Sequence, residues 1–163
     1  MCLTLSMLYD MPTAIFWFRR DLRLEDNAGL YHALKGPDPV IPVFIFDRHI
    51  LDELEDKADK RVDFIYRQVA YLHQQLQSLG SSLLVYHTTP LNAFKKLIKE
   101  HDITCVYTNR DYEPYATQRD DEVKQFLASK HIAFKSYKDQ VIFEKSEVVK
   151  DDGTPYTVFT PYS

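Results

Sequence analysis

Five apolar runs of strand length alternate along the chain with segments that carry helical spacing or helical caps. The first, Ala14-Ile15-Phe16-Trp17-Phe18, is apolar without interruption, the pattern of a strand covered on both faces. Asn27 supplies an N-cap for a helix through Lys35, and Gly36-Pro37-Asp38-Pro39 stops it. Val40 to Phe46 reads as a second buried strand. Pro42 belongs near its beginning, because proline donates nothing to a ladder. The charged stretch from Asp47 to Asp59 reads as a loop with a short helical turn. Val62, Ile65, Val69, Leu72, Leu76 and Leu79 then recur at alternating steps of three and four. They predict an amphipathic helix with all six on its apolar stripe, ended by Gly80. His73 flanks the stripe and reads as surface. Leu83 to Tyr86 is the third strand, and Thr89-Pro90 is an N-cap and first-turn pair for a helix through Glu100 or His101. Ile103 to Tyr107 is the fourth strand, with Cys105 as a small core residue. Pro114 opens a helix to about Lys130, and Ile132 to Tyr137 gives a fifth strand.

Strands separated by helices of this length predict an α/β fold, a Rossmann-like three-layer α/β/α sandwich with about five parallel strands and right-handed crossovers. A length of 163 residues with 45% apolar side chains suits one domain with its own core. Composition then narrows the chemistry. A net charge of -4 argues against a nucleic-acid surface on this piece, since phosphate contacts need a concentrated Lys/Arg face. Only Cys2 and Cys105 occur, without CxxC or Cys/His ligand spacing, so neither a disulfide framework nor a metal site is expected. None of the four glycines forms a GxGxxG or GxxxxGK[ST] loop, which disfavours a dinucleotide or triphosphate cradle. Met1 to Met11 lacks the features of a secretory signal, and no apolar stretch reaches membrane-spanning length. A cytoplasmic protein without a membrane partner is the expectation.

Winding outward from a central first strand puts the loops after strands one, two and four along one edge of the sheet. The first loop carries Arg19, Arg20 and Arg23 among Asp21, Glu25 and Asp26. The second carries Phe46, Asp47 and Arg48, and the fourth Asn109, Arg110, Asp111 and Glu113. Two readings of the individual charges stay open: an Arg–Asp web that only fixes the loop, and an anion site. Apolar walls with a few carboxylates and Arg groups suit a planar heteroaromatic ligand with an anionic tail.

The run Trp17-Phe18-Arg19-Arg20-Asp21-Leu22-Arg23-Leu24-Glu25-Asp26-Asn27 resembles the opening motif of the photolyase and cryptochrome flavoprotein family. Further segments are similar in family order: Pro42 to Asp47, Arg61-Val62-Asp63-Phe64, Tyr107 to Tyr115 with Arg119-Asp120, and Asp152 to Tyr162. The resemblance covers about Thr13 to Ser163. It implies that residues 13–140 form the family's α/β antenna domain, with 1–12 an N-terminal extension outside the fold and 141–163 the start of an interdomain connection. It also implies that the catalytic FAD, the damaged DNA and light-driven splitting of cyclobutane pyrimidine dimers belong to a helical domain beyond this chain. No catalytic residue is therefore assigned here. That FAD domain is the implied partner, with DNA reached only through it.

By the same resemblance, this domain holds an accessory light-harvesting chromophore. Carried over by motif, the contact residues are Arg20, Ile45, Phe46, Asp47, Arg61, Asn109, Asp111 and Glu113. Ile45 and Phe46 are expected as walls, Asp47, Asn109 and Asp111 as hydrogen-bonding groups, and Arg20 or Arg61 as the partner of an anion. Folate-binding members place Asn-Glu where this chain has Tyr115-Ala116, which favours a deazaflavin or flavin over a folate. A pocket without chromophore is the remaining option. Two other functions stay open: the same domain of a cryptochrome photoreceptor, and a free-standing Rossmann-like nucleotide-binding domain.

Overall fold

Every residue of β1 (Thr13–Phe18) is buried, as its unbroken apolar run requires. The reason is its place at the centre of a five-stranded, all-parallel sheet with order β3-β2-β1-β4-β5. The other strands are β2 (Val40–Asp47), β3 (Leu84–Thr88), β4 (Ile103–Asn109) and β5 (Ala133–Tyr137). The helices are α1 (Ala28–Leu34), α2 (Arg48–Asp52), α3 (Lys60–Ser78), α4 (Pro90–Glu100) and α5 (Pro114–Ala128). This is the expected α/β/α sandwich. The computed structural model describes residues 11–54, 59–144, 147–150 and 152–154. Most of the proposed N-terminal extension, and Pro155 to Ser163 of the proposed connection, lie outside the described residues.

Parallel strands need crossovers, and right-handed crossovers sort the helices by the direction of winding. From β1 through β2 to β3 the chain moves one way, and α1 and α3 cover one face. From β3 across to β4 and on to β5 it moves the other way, and α4 and α5 cover the opposite face. Side-chain alternation along β1 feeds both layers. Ala14, Phe16 and Phe18 join Leu30, Ala33, Val69, Leu72 and Leu76 in the first. Ile15 and Trp17 join Val43, Phe94, Leu97, Val123 and Leu127 in the second. Pro42 pairs with Phe16 on the β1 side but lies before the first β2–β3 pair, Val43 with Leu84, where no neighbouring strand needs its missing donor.

Caps match the sequence signals. Asn27 and Thr89 accept from the backbone N–H groups of Leu30 and Asn92, and Gly80 follows α3 with a φ of +75°. The charged loop contains α2, capped by Asp47, and α3 begins at Lys60, two residues before the apolar stripe, capped by Asp59. His73 is half-buried rather than surface: its Nδ1 accepts the Leu83 N–H, tying α3 to the approach of β3.

The stripe of α3 is only partly core. Val69, Leu72 and Leu76 are buried, but Ile65 is 36% exposed and Leu79, just past the helix, 73%. Length explains the first half. Nineteen residues of helix reach about 28 Å, while the five residues of β3 reach about 17 Å. Since α3 runs back against the strands, its N-terminal turns overhang the carboxyl edge of the sheet. Leu76→Ala should cost about 2–5 kcal/mol through an unfilled cavity, whereas Leu79→Ala should change stability by less than about 0.5 kcal/mol. Urea unfolding of both variants checks this difference.

Candidate functional site

In an open parallel sheet the ligand crevice lies where the winding reverses, here between the carboxyl ends of β1 and β4 at the start of α1. Three buried polar side chains fill that crevice. The Asn109 amide donates to the Asp21 carboxylate and, at 2.8 Å, to Asn27 Oδ1, while its Oδ1 accepts the Gly29 N–H at 2.7 Å. Asp21 also accepts the Arg19 N–H, and Asn27 accepts from Leu30. Asp139 from beyond β5 takes the Ala28 N–H at 3.0 Å. The first backbone donors of α1, which in nucleotide-binding relatives of this architecture face a phosphate, are thus met by the protein's own side chains. Gly29 makes the fit possible: a Cβ there would lie 2.6 Å from Asn109 Oδ1 and 2.9 Å from the Phe16 ring.

Beside this plug, Arg19 is structural. Its guanidinium stacks on Trp17, donates to both oxygens of Asp120 at 2.6 and 2.8 Å, and reaches the Asn109 carbonyl. Burial lowers its pKa and Asp120 opposes the change. Arg119 lies 5.0 Å from the Trp17 ring centre and also contacts Asp120. For these two arginines the ion-pair web is the right reading. Arg23 likewise pairs with Asp139 at 2.8 Å, and Arg110 with Glu144, whose second oxygen accepts from Tyr112 and helps hold that phenol up at about 12 behind the larger effect of desolvation.

Arg20 differs. Half exposed, it spans from Glu113 at 2.5 Å to Asp111 at 3.8 Å, so the loops after β1 and β4 present a guanidinium and two carboxylates at the edge. Three of the eight carried-over residues meet here. Asp47 stands at the end of β2, where one oxygen caps α2 and the other accepts the Tyr115 hydroxyl at 2.6 Å. Burial and the Asp47 acceptor push the Tyr115 phenol well above its ordinary range, so it remains a donor. Tyr115 and Arg119 line a cleft of about 270 Å³ with His49, Thr89 and Glu122.

The expected single slot walled by both Ile45 and Phe46 is corrected by strand alternation. Ile45 is buried in the layer under α4 and α5, and Phe46 packs against the opposite layer. Phe46 instead lines an open groove of about 540 Å³ with Leu51, Val62, Tyr66 and His87, rimmed by Asp59 and Asp63. The overhanging turns of α3 make its wall. Arg61, on the same overhang, is exposed and held by Asp59 at 2.5 Å. Asn109 is also corrected. Fully engaged in the plug and 2% exposed, it positions the edge rather than reaching out from it.

Sequence reasoning passed over Gly29, Asn27 as more than a cap, and the stack of Trp17 with Arg119. Gly29 had a usable signal: a glycine in the second position of a helix suggests close backbone approach. Among the described residues, no His/Cys/Asp/Glu group could hold a metal ion, and no helix is long and apolar enough to cross a membrane.

Comparison with known proteins agrees with this fold. The family model described as DNA photolyase matches residues 14–163. A deoxyribodipyrimidine photo-lyase of Synechococcus sp. is 34% identical over 148 residues, 91% of this chain and 30% of the relative. Cryptochrome-2 of Arabidopsis thaliana is 34% identical over 149 residues, 91% of this chain and 24% of the relative. The crystal structure of an archaeal photolyase from Sulfolobus tokodaii, described with two FAD molecules and a novel light-harvesting cofactor, superposes with a TM-score of 0.77 at 35% identity. That match covers 84% of this chain and 32% of the archaeal one. The chain thus spans about a third or less of the length of these relatives.

Gly29→Ala should destabilise the fold by about 1–3 kcal/mol through overpacking, and Asn109→Ala by about 1–3 kcal/mol through stranded donors and acceptors. Because the added methyl meets Asn109 first, the double variant should lose less than the sum of the two. A double-mutant cycle in urea reads this out, and strict additivity would disconnect the two residues.

Proposed function

The chain belongs to the DNA photolyase family, as its α/β domain, and we propose that it holds a light-harvesting chromophore for a longer protein that repairs DNA photodimers with FAD and light. The observation that carries this reading is the carboxyl edge itself. Its reversal point is plugged, while beside the plug stand a half-exposed Arg20 between Asp111 and Glu113 and an aromatic-walled groove at Phe46. A nucleotide phosphate has no free donors at α1. That argues against a free-standing nucleotide-binding domain.

The groove fits a flat conjugated ring in size and lining. Its volume falls in the range of small-molecule sites, Phe46 and Tyr66 offer aromatic surface, and Val62 and Leu51 aliphatic surface. Arg20 and Arg61, both exposed and each held by a carboxylate, are the groups that pair with an anionic tail by exchanging partners. Asp111 serves the ring's polar edge. Asp47 and Asn109 act behind them, Asp47 by fixing α2 and Tyr115 and Asn109 through the plug. When bound, such a chromophore absorbs light and passes the excitation to FAD without contact. What the protein supplies is fixed distance and orientation.

A deazaflavin or flavin is preferred to a folate, because Tyr115 and Ala116 stand where folate-binding members are expected to carry Asn-Glu. The FAD domain and, through it, damaged DNA are the proposed partners, with the cytoplasm as the site of action. The 34% identity to a plant cryptochrome favours one second reading, the same domain in a photoreceptor. Repair of dimer-containing DNA by the longer protein separates the two, since a cryptochrome would show none.

Titration of this chain with FMN and with a deazaflavin, followed by fluorescence, tests the site. Asp111→Ala and Phe46→Ala should each weaken retention by about 1–3 kcal/mol for a lost buried partner or apolar wall and leave the far-ultraviolet dichroism unchanged. Binding that ignores both substitutions places the chromophore elsewhere.

A further inference from the structure

The groove at Phe46 offers a flat ring apolar walls, but its fixed charges have one sign. They are the carboxylates of Asp59 and Asp63, with the His87 imidazole also in the lining, and among the described residues no Lys or Arg lines it. The guanidiniums that hold those carboxylates stand outside. Arg61 meets Asp59 at 2.5 Å with its own side chain 78% exposed, and Arg67 meets Asp63 at 3.0 Å with its side chain 74% exposed. Hydrogen bonds from Arg61 hold the Asp59 carboxyl below its ordinary range, so it is ionised at neutral pH. Beside the plug the balance is the same: Arg20 has two carboxylates, Asp111 and Glu113, for its one positive charge.

We propose that this site, read as above as the seat of a light-harvesting ring, selects a flavin-type or deazaflavin-type molecule with a free polyol chain over its phosphorylated form. Exchange of partners gains little for a phosphate. One that takes Arg20 or Arg61 releases Glu113 or Asp59 next to itself, and a chain with a net charge of -4 adds repulsion at longer range. A neutral polyol meets no such opposition, since carboxylate oxygens accept hydrogen bonds and hydroxyls donate them. Asp59, Asp63 and Glu113 therefore determine specificity by charge, while Phe46 and the apolar walls hold the ring common to both forms.

Riboflavin and FMN share ring and ribityl chain and differ by one phosphate, which carries a charge of about -2 at neutral pH. Fluorescence titration of this chain should give riboflavin binding about fivefold tighter or more. The ratio of the two dissociation constants should fall toward one in about 1 M salt, where the screening length is about 3 Å. It should also narrow about twofold or more in Asp63→Asn and in Glu113→Gln, both at side chains that are 60% exposed, so the core stays intact. FMN that binds as tightly as riboflavin, or tighter, overturns the charge rule and, while Phe46→Ala still weakens both ligands, leaves the light-harvesting reading standing. A ratio that ignores salt and both substitutions overturns it too, since size rather than charge would then sort the ligands. If neither ligand binds, or Phe46→Ala changes neither, the light-harvesting reading falls and this inference with it.

Discussion

The closed hydrogen-bond set of Asp21, Asn27 and Asn109 governs how the carboxyl edge is used. It joins the loop after β1, the start of α1 and the end of β4, three points distant in sequence that meet where the sheet reverses its winding. Each member is buried, and among the described residues no buried side-chain polar atom lacks a partner. In a low-dielectric crevice such a set is stiff, because any loosened member strands a donor or acceptor. Gly29 lets α1 come close enough to complete it.

Closing the reversal point moves the chemistry outward. Arg20 stays half exposed because Arg19 and Arg119 already share Asp120 against Trp17, leaving Asp111 and Glu113 to hold Arg20 at the surface. On the other side of β2, the groove exists because α3 is longer than the strand it covers. Its first two turns stand over the end of the sheet, and Val62 and Tyr66 line an open groove with Phe46 and His87 instead of a core. Under the proposed reading, a rigid floor and an apolar overhang are what would hold a flat guest at fixed geometry.

The order of elements was legible because its signals are local. The unbroken apolar run of β1, the N-caps at Asn27 and Thr89, and Gly80 after α3 each report a backbone preference that neighbours do not override. Boundaries drifted only slightly. The site was less legible. Motif resemblance treated Asn109, Ile45, Arg20 and Arg61 alike as contacts, whereas one is a staple, one is core and two are surface cations held by different carboxylates.

Hydrophobic periodicity and capping chemistry by themselves determined an α/β sandwich of five parallel strands, and the net negative charge argued against a nucleic-acid surface on it. Tertiary structure decided which Arg and Asp groups are partnered, that Ile45 and Phe46 face opposite layers, and that only Val69, Leu72 and Leu76 of the α3 stripe are buried. The reason is physical. Strand and helix signals come from a few adjacent residues, while the state of a charged side chain depends on which distant segment arrives beside it and how much water is left.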